Sequence, residues 1–259
     1  GTEPGTRVAA VQCGEKALAI YADVCDAYKH LDCTPQERCQ LDEAVKSFEK
    51  ALAIKPDFAD AHNNLGTTLK KLGQLDAAVK CYEQALAIKT DYAEAHNNLG
   101  NALKELGQLD AAVKSYLETL DIKPDYADAH NNLGNALSDL GQLDAAAKCF
   151  EKALAIKPDF ADAHYNLGLA LQGLGQLDAA VKSNQLDAAV KCYEKALAIN
   201  PDFAEAHNNL GITLKELGQL DAAVKCYQQA LAIKPDYAEA HNNLGNAFKE
   251  LDQLDAAVK

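Results

Sequence analysis

The sequence predicts an all-α chain, an α-solenoid of 34-residue helix-turn-helix repeats, and three observations carry that prediction. His-Asn-Asn-Leu-Gly recurs at His62, His96, His130, His207 and His241, with His-Tyr-Asn-Leu-Gly at His164. Successive copies are spaced by 34 residues, except that His164 and His207 stand nine residues further apart. Within each copy, apolar residues fall three or four apart, the period of a helix face. Composition agrees: 48% of the chain is apolar, yet only 10 Tyr, 6 Phe and no Trp contribute, so Ala and Leu make up the core.

The elements follow in chain order. Residues 1–6 read as an extension and residues 7–58 as degenerate, cysteine-containing repeats. There, Ala10 to Ile20 aligns without gaps on the second-helix stretch Ala78 to Ile88. Continuing the alignment sets Leu31 opposite Leu65 and leaves Pro35 inside a first helix, where it removes a hydrogen bond and clashes. The alternative is one helix across Ala17 to Leu31, with Cys33 to Cys39 as an inserted loop. Regular repeats occupy residues 59–175. In the unit starting at Ala59, Phe58, His62, Leu65, Gly66, Leu69 and Leu72 share one face. Leu75, Ala78, Val79, Tyr82, Ala85, Leu86 and Ile88 share the next, and Gly73-Gln74 turns the chain between them. Asp57, Asp91, Asp125, Asp159, Asp202 and Asp236, each with an acid three residues on, read as capping boxes for the first helices. Pro56, Pro124, Pro158, Pro201 and Pro235 end the preceding helices, with Thr90 in that place once.

Residues 176–184, QLDAAVKSN, are followed at once by the near-copy QLDAAVKCY, a duplicated nonapeptide. Nine residues turn a helix through about 900°, so the two apolar sets point in opposite directions. Leu177 and Val181 cannot both share a buried face with Leu186 and Val190, and a break is expected near Ser183-Asn184. Repeats resume over residues 185–259, and the last stops at Lys259, partway through a second helix.

Several function classes find no support. A net charge of −13 makes a phosphate backbone a poor partner, so no nucleic-acid binding is expected. No apolar run approaches the roughly 20 residues that span a bilayer, and no charged-then-apolar leader is present. A cytoplasmic and an extracellular setting both stay open. The histidines recur one repeat apart, which stacks them in a row instead of converging them on one ion, so packing or capping is the expected role and no metal site follows. Cys13, Cys81, Cys149, Cys192 and Cys226 alternate with Ser47 and Ser115 at one repeat position, as small structural thiols do. Cys25, Cys33 and Cys39 cluster more tightly, and Cys33 with Cys39 can close a disulfide in an oxidising compartment. There is no phosphate loop, no nucleophile elbow and no set of unlike residues to converge, so neither catalysis nor a cofactor is expected.

From Leu41 to Lys259 the chain resembles the tetratricopeptide-repeat (TPR) family: Leu65-Gly66, Ala78, Tyr82 and Ala85 match its packing pattern, and Pro56 its closing proline. His62 and its copies depart from the aromatic residue common at that place. The resemblance implies a right-handed superhelix whose first helices line a concave groove that binds peptides or proteins. The second Asn of each triplet, Asn64, Asn98, Asn132, Asn166, Asn209 and Asn243, then forms a ladder on the groove. This is similar to the asparagine ladder of O-linked N-acetylglucosamine transferases, where carboxamides hold extended peptide. Asn101, Asn135 and Asn246, one turn on, widen the polar floor, and Thr67, Leu169 and Ile212 interrupt it. The competing reading is that these amides bond neighbouring repeats or water. The Lys-plus-Asn clamp for a terminal carboxylate seen in co-chaperones is not reproduced. The expected function is a protein interaction scaffold. One alternative is a self-assembling protein that stacks head to tail into filaments, the stretch Arg7 to Ile20 meeting the unfinished repeat at Lys259. The other is the recognition arm of a larger enzyme such as a glycosyltransferase.

Overall fold

A computed structural model describes residues 35–177 and 182–258, and every element among them is helical. They fall into two compact units, one ending at Pro124 and the other beginning at Asp125.

The first unit contains α1 (Pro35–Ile54), α2 (Ala59–Lys71), α3 (Leu75–Ile88), α4 (Ala93–Glu105) and α5 (Leu109–Ile122). Each helix packs on the next, and α2 also meets α4, the first helix of the following repeat. The core is built from Phe48, Leu65, Leu69, Ala78, Tyr82 and Ala102, with Ala44 beneath. Glycine makes this packing close. A Cβ on Gly100 would come within 2.6 Å of the buried Tyr116 ring, and one on Gly66 within 2.8 Å of Tyr82. The Leu-Gly pair of the repeat therefore lets the second-helix aromatic lie flat on the first helix.

Pro35 opens α1. At a first helical position its missing N–H would have had no partner anyway, so the clash expected inside a first helix does not arise. Cys39 lies in α1, so the part of the Cys33 to Cys39 loop reading that falls on Pro35 to Cys39 is replaced by helix. Cys39 is exposed; Cys33, its expected disulfide partner, lies outside the described residues. So does the aligned stretch Ala10 to Ile20.

The second unit contains α6 (Ala127–Asp139), α7 (Leu143–Ile156), α8 (Ala161–Leu177), α9 (Lys182–Ile199), α10 (Ala204–Glu216), α11 (Leu220–Ile233) and α12 (Ala238–Val258). Again neighbours pack in sequence, and the first helices α6, α8, α10 and α12 touch in order. Both helices that flank residues 178–181 are longer than their counterparts. α8 has 17 residues where α6 and α10 have 13, and α9 has 18 where α7 and α11 have 14. Each helix of this pair gains about one turn. Ser183 and Asn184, where a break was expected, lie inside α9 and are exposed, while residues 178–181 are not described. The second copy keeps the core register: Leu186 is 1% exposed, and Ala189, Tyr193 and Ala196 are buried. The second copy is thus in the core, and the break expected at Ser183-Asn184 does not fall there.

Two more expectations need correction. The first helices are not capped by aspartate: their N-cap residues are Phe58, Tyr92, Tyr126 and Phe203, none with a side-chain capping bond. The aspartate stands one residue too early, in a tight turn that brings Lys55 Nζ over the Phe58 ring at 5.0 Å, with the same pairing at Lys89–Tyr92, Lys157–Phe160 and Lys234–Tyr237. The last helix also runs on. Gly73, Gly107, Gly141 and Gly218 turn the chain with φ of 75 to 78°, and Asp252 stands at the matching place in α12, which continues to Val258. A residue with a Cβ disfavours that left-handed turn.

Candidate functional site

The ladder asparagines sit on the first helices, and the fold gives Asn98, Asn166, Asn209 and Asn243 each a specific neighbour. The first Asn of the triplet is buried at Asn63, Asn97, Asn131 and Asn208, and the second is half-buried at Asn64, Asn98, Asn132, Asn166, Asn209 and Asn243. The second Asn donates to the first Asn of the preceding repeat: Asn98 Nδ2 to Asn63 Oδ1 at 3.1 Å, Asn166 to Asn131 at 3.0 Å, and Asn243 to Asn208 at 3.0 Å. Where Tyr165 replaces the first Asn, Asn209 Nδ2 donates to its hydroxyl at 2.9 Å. Sequence reasoning picked out the donors and missed the acceptors. The signal was present, because the two asparagines recur side by side.

One amide bond does not exhaust a carboxamide, which has two N–H donors and an oxygen acceptor. In Asn98, Asn166 and Asn243 the Oδ1 and the second N–H find no partner among the described residues. Asn209 Oδ1 accepts a long bond from Asn208 at 3.4 Å.

The position one turn on serves the core. Asn101 Oδ1 accepts the Tyr116 hydroxyl at 2.8 Å, and Thr67 accepts Tyr82 at 3.2 Å. Asn135 is half-buried opposite Phe150, which has no hydroxyl to offer, and Asn246 is exposed. At Leu169 the acceptor is lost, and buried Gln172 takes over by accepting the Tyr193 hydroxyl at 3.0 Å. At Ile212 nothing takes over: the buried Tyr227 hydroxyl has no partner among the described residues. Asn101 is thus tied to the packing of its own repeat and not left open in the way of Asn98.

The histidines bind backbone. Nε2 of His62, His96, His164, His207 and His241 lies 3.0 Å from the carbonyl oxygen six residues back, which belongs to Pro56, Thr90, Pro158, Pro201 and Pro235 respectively. Each ring donates there and closes the turn between repeats. Burial pulls the His164 imidazole below its ordinary pKa, against the backbone bond that raises it. Among the described residues, no three His, Cys, Asp or Glu are placed to hold a metal ion.

Burial raises the thiol pKa of Cys81, Cys149, Cys192 and Cys226, the last to about 11, which keeps all four protonated near neutrality. Burial likewise pushes the Tyr165 phenol up to about 12, so it acts as a neutral hydrogen-bonding group. Away from the ladder, α7, α8 and α9 enclose an open hollow of about 540 Å³ lined by Leu154, Pro158, His164, Leu167, Cys192 and Ile199. No ladder asparagine borders it. No described helix is long and apolar enough to cross a membrane.

Solved structures similar to this chain include TPR proteins. YrrB, described as a TPR protein with an unusual peptide-binding site, is 22% identical over 76% of this chain and 97% of its own, with a TM-score of 0.61. MamA is 27% identical over 68% of this chain and 97% of its own, at a TM-score of 0.59. PilF of Pseudomonas aeruginosa is 20% identical over 91% and 99%, at 0.71. Among curated proteins none matches the sequence. The TPR repeat family model matches residues 38–73, 66–107, 100–141, 134–175, 178–218 and 213–252. With those matches spread over most of its length and helix pairs stacked as described, the chain belongs to the TPR repeat family.

Proposed function

We propose that the chain is a binding scaffold and not a catalyst, and that its first helices hold an extended polypeptide through the asparagine ladder. One observation supports this best. Each amide of Asn98, Asn166 and Asn243 is fixed by a bond to the preceding repeat, and keeps one acceptor and one donor without a partner among the described residues, at a half-buried position. A preset amide meets a peptide unit with little ordering cost, whatever side chain that unit carries. The ladder step is one repeat, roughly 10 Å for packed helices, or about three residues of extended chain. The fold it sits on is one in which other members, YrrB by its description, bind peptide.

A displayed library of random dodecapeptides, selected on the whole chain, tests the reading. Enriched peptides should lose affinity by about 0.5–1.5 kcal/mol for each of Asn98→Ala, Asn132→Ala and Asn166→Ala. Because Asn98→Ala and Asn166→Ala also remove an inter-repeat bond, urea denaturation of the variants is needed to confirm that they are folded at the assay temperature. Selected peptides that bind all three folded variants as well as the parent would assign the ladder to structure alone.

A further inference from the structure

The repeat built on α8 departs from its neighbours along the ladder face, and the departures are consistent. Tyr165 stands where Asn63, Asn97, Asn131 and Asn208 stand elsewhere. Leu169 replaces the polar residue found at Thr67, Asn101 and Asn135, and it is 39% exposed. Further along, Gly173 takes the place of the charged Lys71, Glu105, Asp139 and Glu216. Tyr165 and Leu169 are four apart, and Leu169 follows Asn166 by three, so all three share one strip of α8. The Tyr165 ring is held at 4.7 Å from Phe203 and 5.9 Å from Tyr193, and its hydroxyl accepts from Asn209. The ring is therefore fixed in place, with Leu169 half-open one turn beyond it. On α10, Ile212 continues the same substitution, and it packs on the cluster that also receives Tyr165.

The margin of this strip is acidic. Asp128, Asp162, Glu205 and Glu239 lie in the first turns of α6, α8, α10 and α12. Asp162 and Glu205 stand four residues before Asn166 and Asn209, on the same face. Of these acids, Glu205 pairs with Lys234, whose Nζ is 3.8 Å away, and both side chains are about half exposed. An acidic rim beside an apolar seat selects for a cation next to an apolar group.

We propose that the second unit reads its ligand at α8. An extended polypeptide places one bulky apolar side chain on Tyr165 and Leu169, with Lys or Arg beside it toward Asp162 and Glu205. This deepens the peptide-binding reading and rests on it: the amides hold backbone along the ladder, and the strip centred on α8, with Glu205 of α10 beside it, adds a side-chain preference.

Peptide selection on the whole chain, repeated with Leu169→Asn and with Tyr165→Asn, is the test. Both changes introduce the residue that other repeats carry at that position, so the fold has a precedent for each. Peptides enriched on the parent should share a Leu, Ile, Phe or Tyr next to a basic residue. Leu169→Asn should weaken such a peptide about tenfold and leave its version with Ala at the apolar position nearly unaffected. Peptides that depend on Asn166 yet show no apolar preference would overturn the α8 assignment while leaving the ladder intact. The same holds for a preference that survives both substitutions. Failure to enrich any peptide would overturn the ladder, and the α8 seat with it.

Discussion

Tyr116 and Tyr227 occupy the same repeat position, and a single residue elsewhere sets them apart. Asn101 accepts the Tyr116 hydroxyl, whereas Ile212 leaves the Tyr227 hydroxyl buried and unpartnered. An orphaned buried donor costs its full desolvation, and a made bond contributes on the order of 1 kcal/mol net. Removing the two hydroxyls should therefore have opposite effects. Tyr116→Phe is expected to destabilise by about 1 kcal/mol and Tyr227→Phe to stabilise by about 1 kcal/mol, read by urea denaturation. The chain already carries the latter choice at Phe150, which is 1% exposed in the matching place. Two substitutions of the same sign would mean that the Tyr227 hydroxyl reaches a partner. At this scale the sequence was legible where one residue decides alone, as with the turn glycines and the closing prolines. It was less legible where two residues decide together. The partners of Asn98 and His62 are 35 and 6 residues away, and nothing local names them.

At the scale of the element, the duplicated nonapeptide shows what periodicity can and cannot fix. Phase alone indicates that only one copy can face the core, and the buried set Leu186, Ala189, Tyr193 and Ala196 belongs to the second. Phase does not say where the surplus goes, because lengthening both helices of a hairpin by a turn preserves their facing registers as well as a loop would. The added turn also finds a contact: Gln176 Nε2 donates to Glu216 Oε1 at 3.2 Å, joining α8 to α10. Deleting residues 176–184 joins Gly175 to Gln185 and recreates the Gly-Gln turn of the other repeats. Since the core register is already that of the second copy, stability is expected to change by no more than about 1 kcal/mol, with a fall in helical circular dichroism equivalent to roughly eight residues. Loss of the folded state on deletion would show that the added turns hold the unit together.

For the whole molecule, the repeat is the unit of bonding as well as of sequence, and this makes excision a sharp test. Removing residues 204–237 deletes α10 and α11 and joins Phe203 to Ala238, one full period taken from within the second unit. What the missing repeat did, the next can do. Asn243 moves into the place of Asn209 opposite the Tyr165 hydroxyl, and Glu250 into the place of Glu216 opposite Gln176. The half-exposed Lys215–Glu250 pair disappears at little cost. Only nearest-neighbour contacts are exchanged, so stability should fall as in a quasi-one-dimensional array, by one repeat and one interface. The denaturant slope tracks the surface exposed on unfolding, and 34 residues of 259 should lower it by about an eighth, with helicity per residue unchanged. This is also where sequence reading was strongest, because a period repeated from His62 to His241 averages out every local departure. Apart from the aspartate caps, misread in every regular repeat alike, its failures fall at α1, at the α8–α9 pair and at α12, where the period is broken by Pro35, the duplication and Asp252. If the shortened chain unfolds outright, or loses far more slope than its length accounts for, contacts beyond nearest neighbours hold the second unit, and the repeat-by-repeat account of its bonding fails.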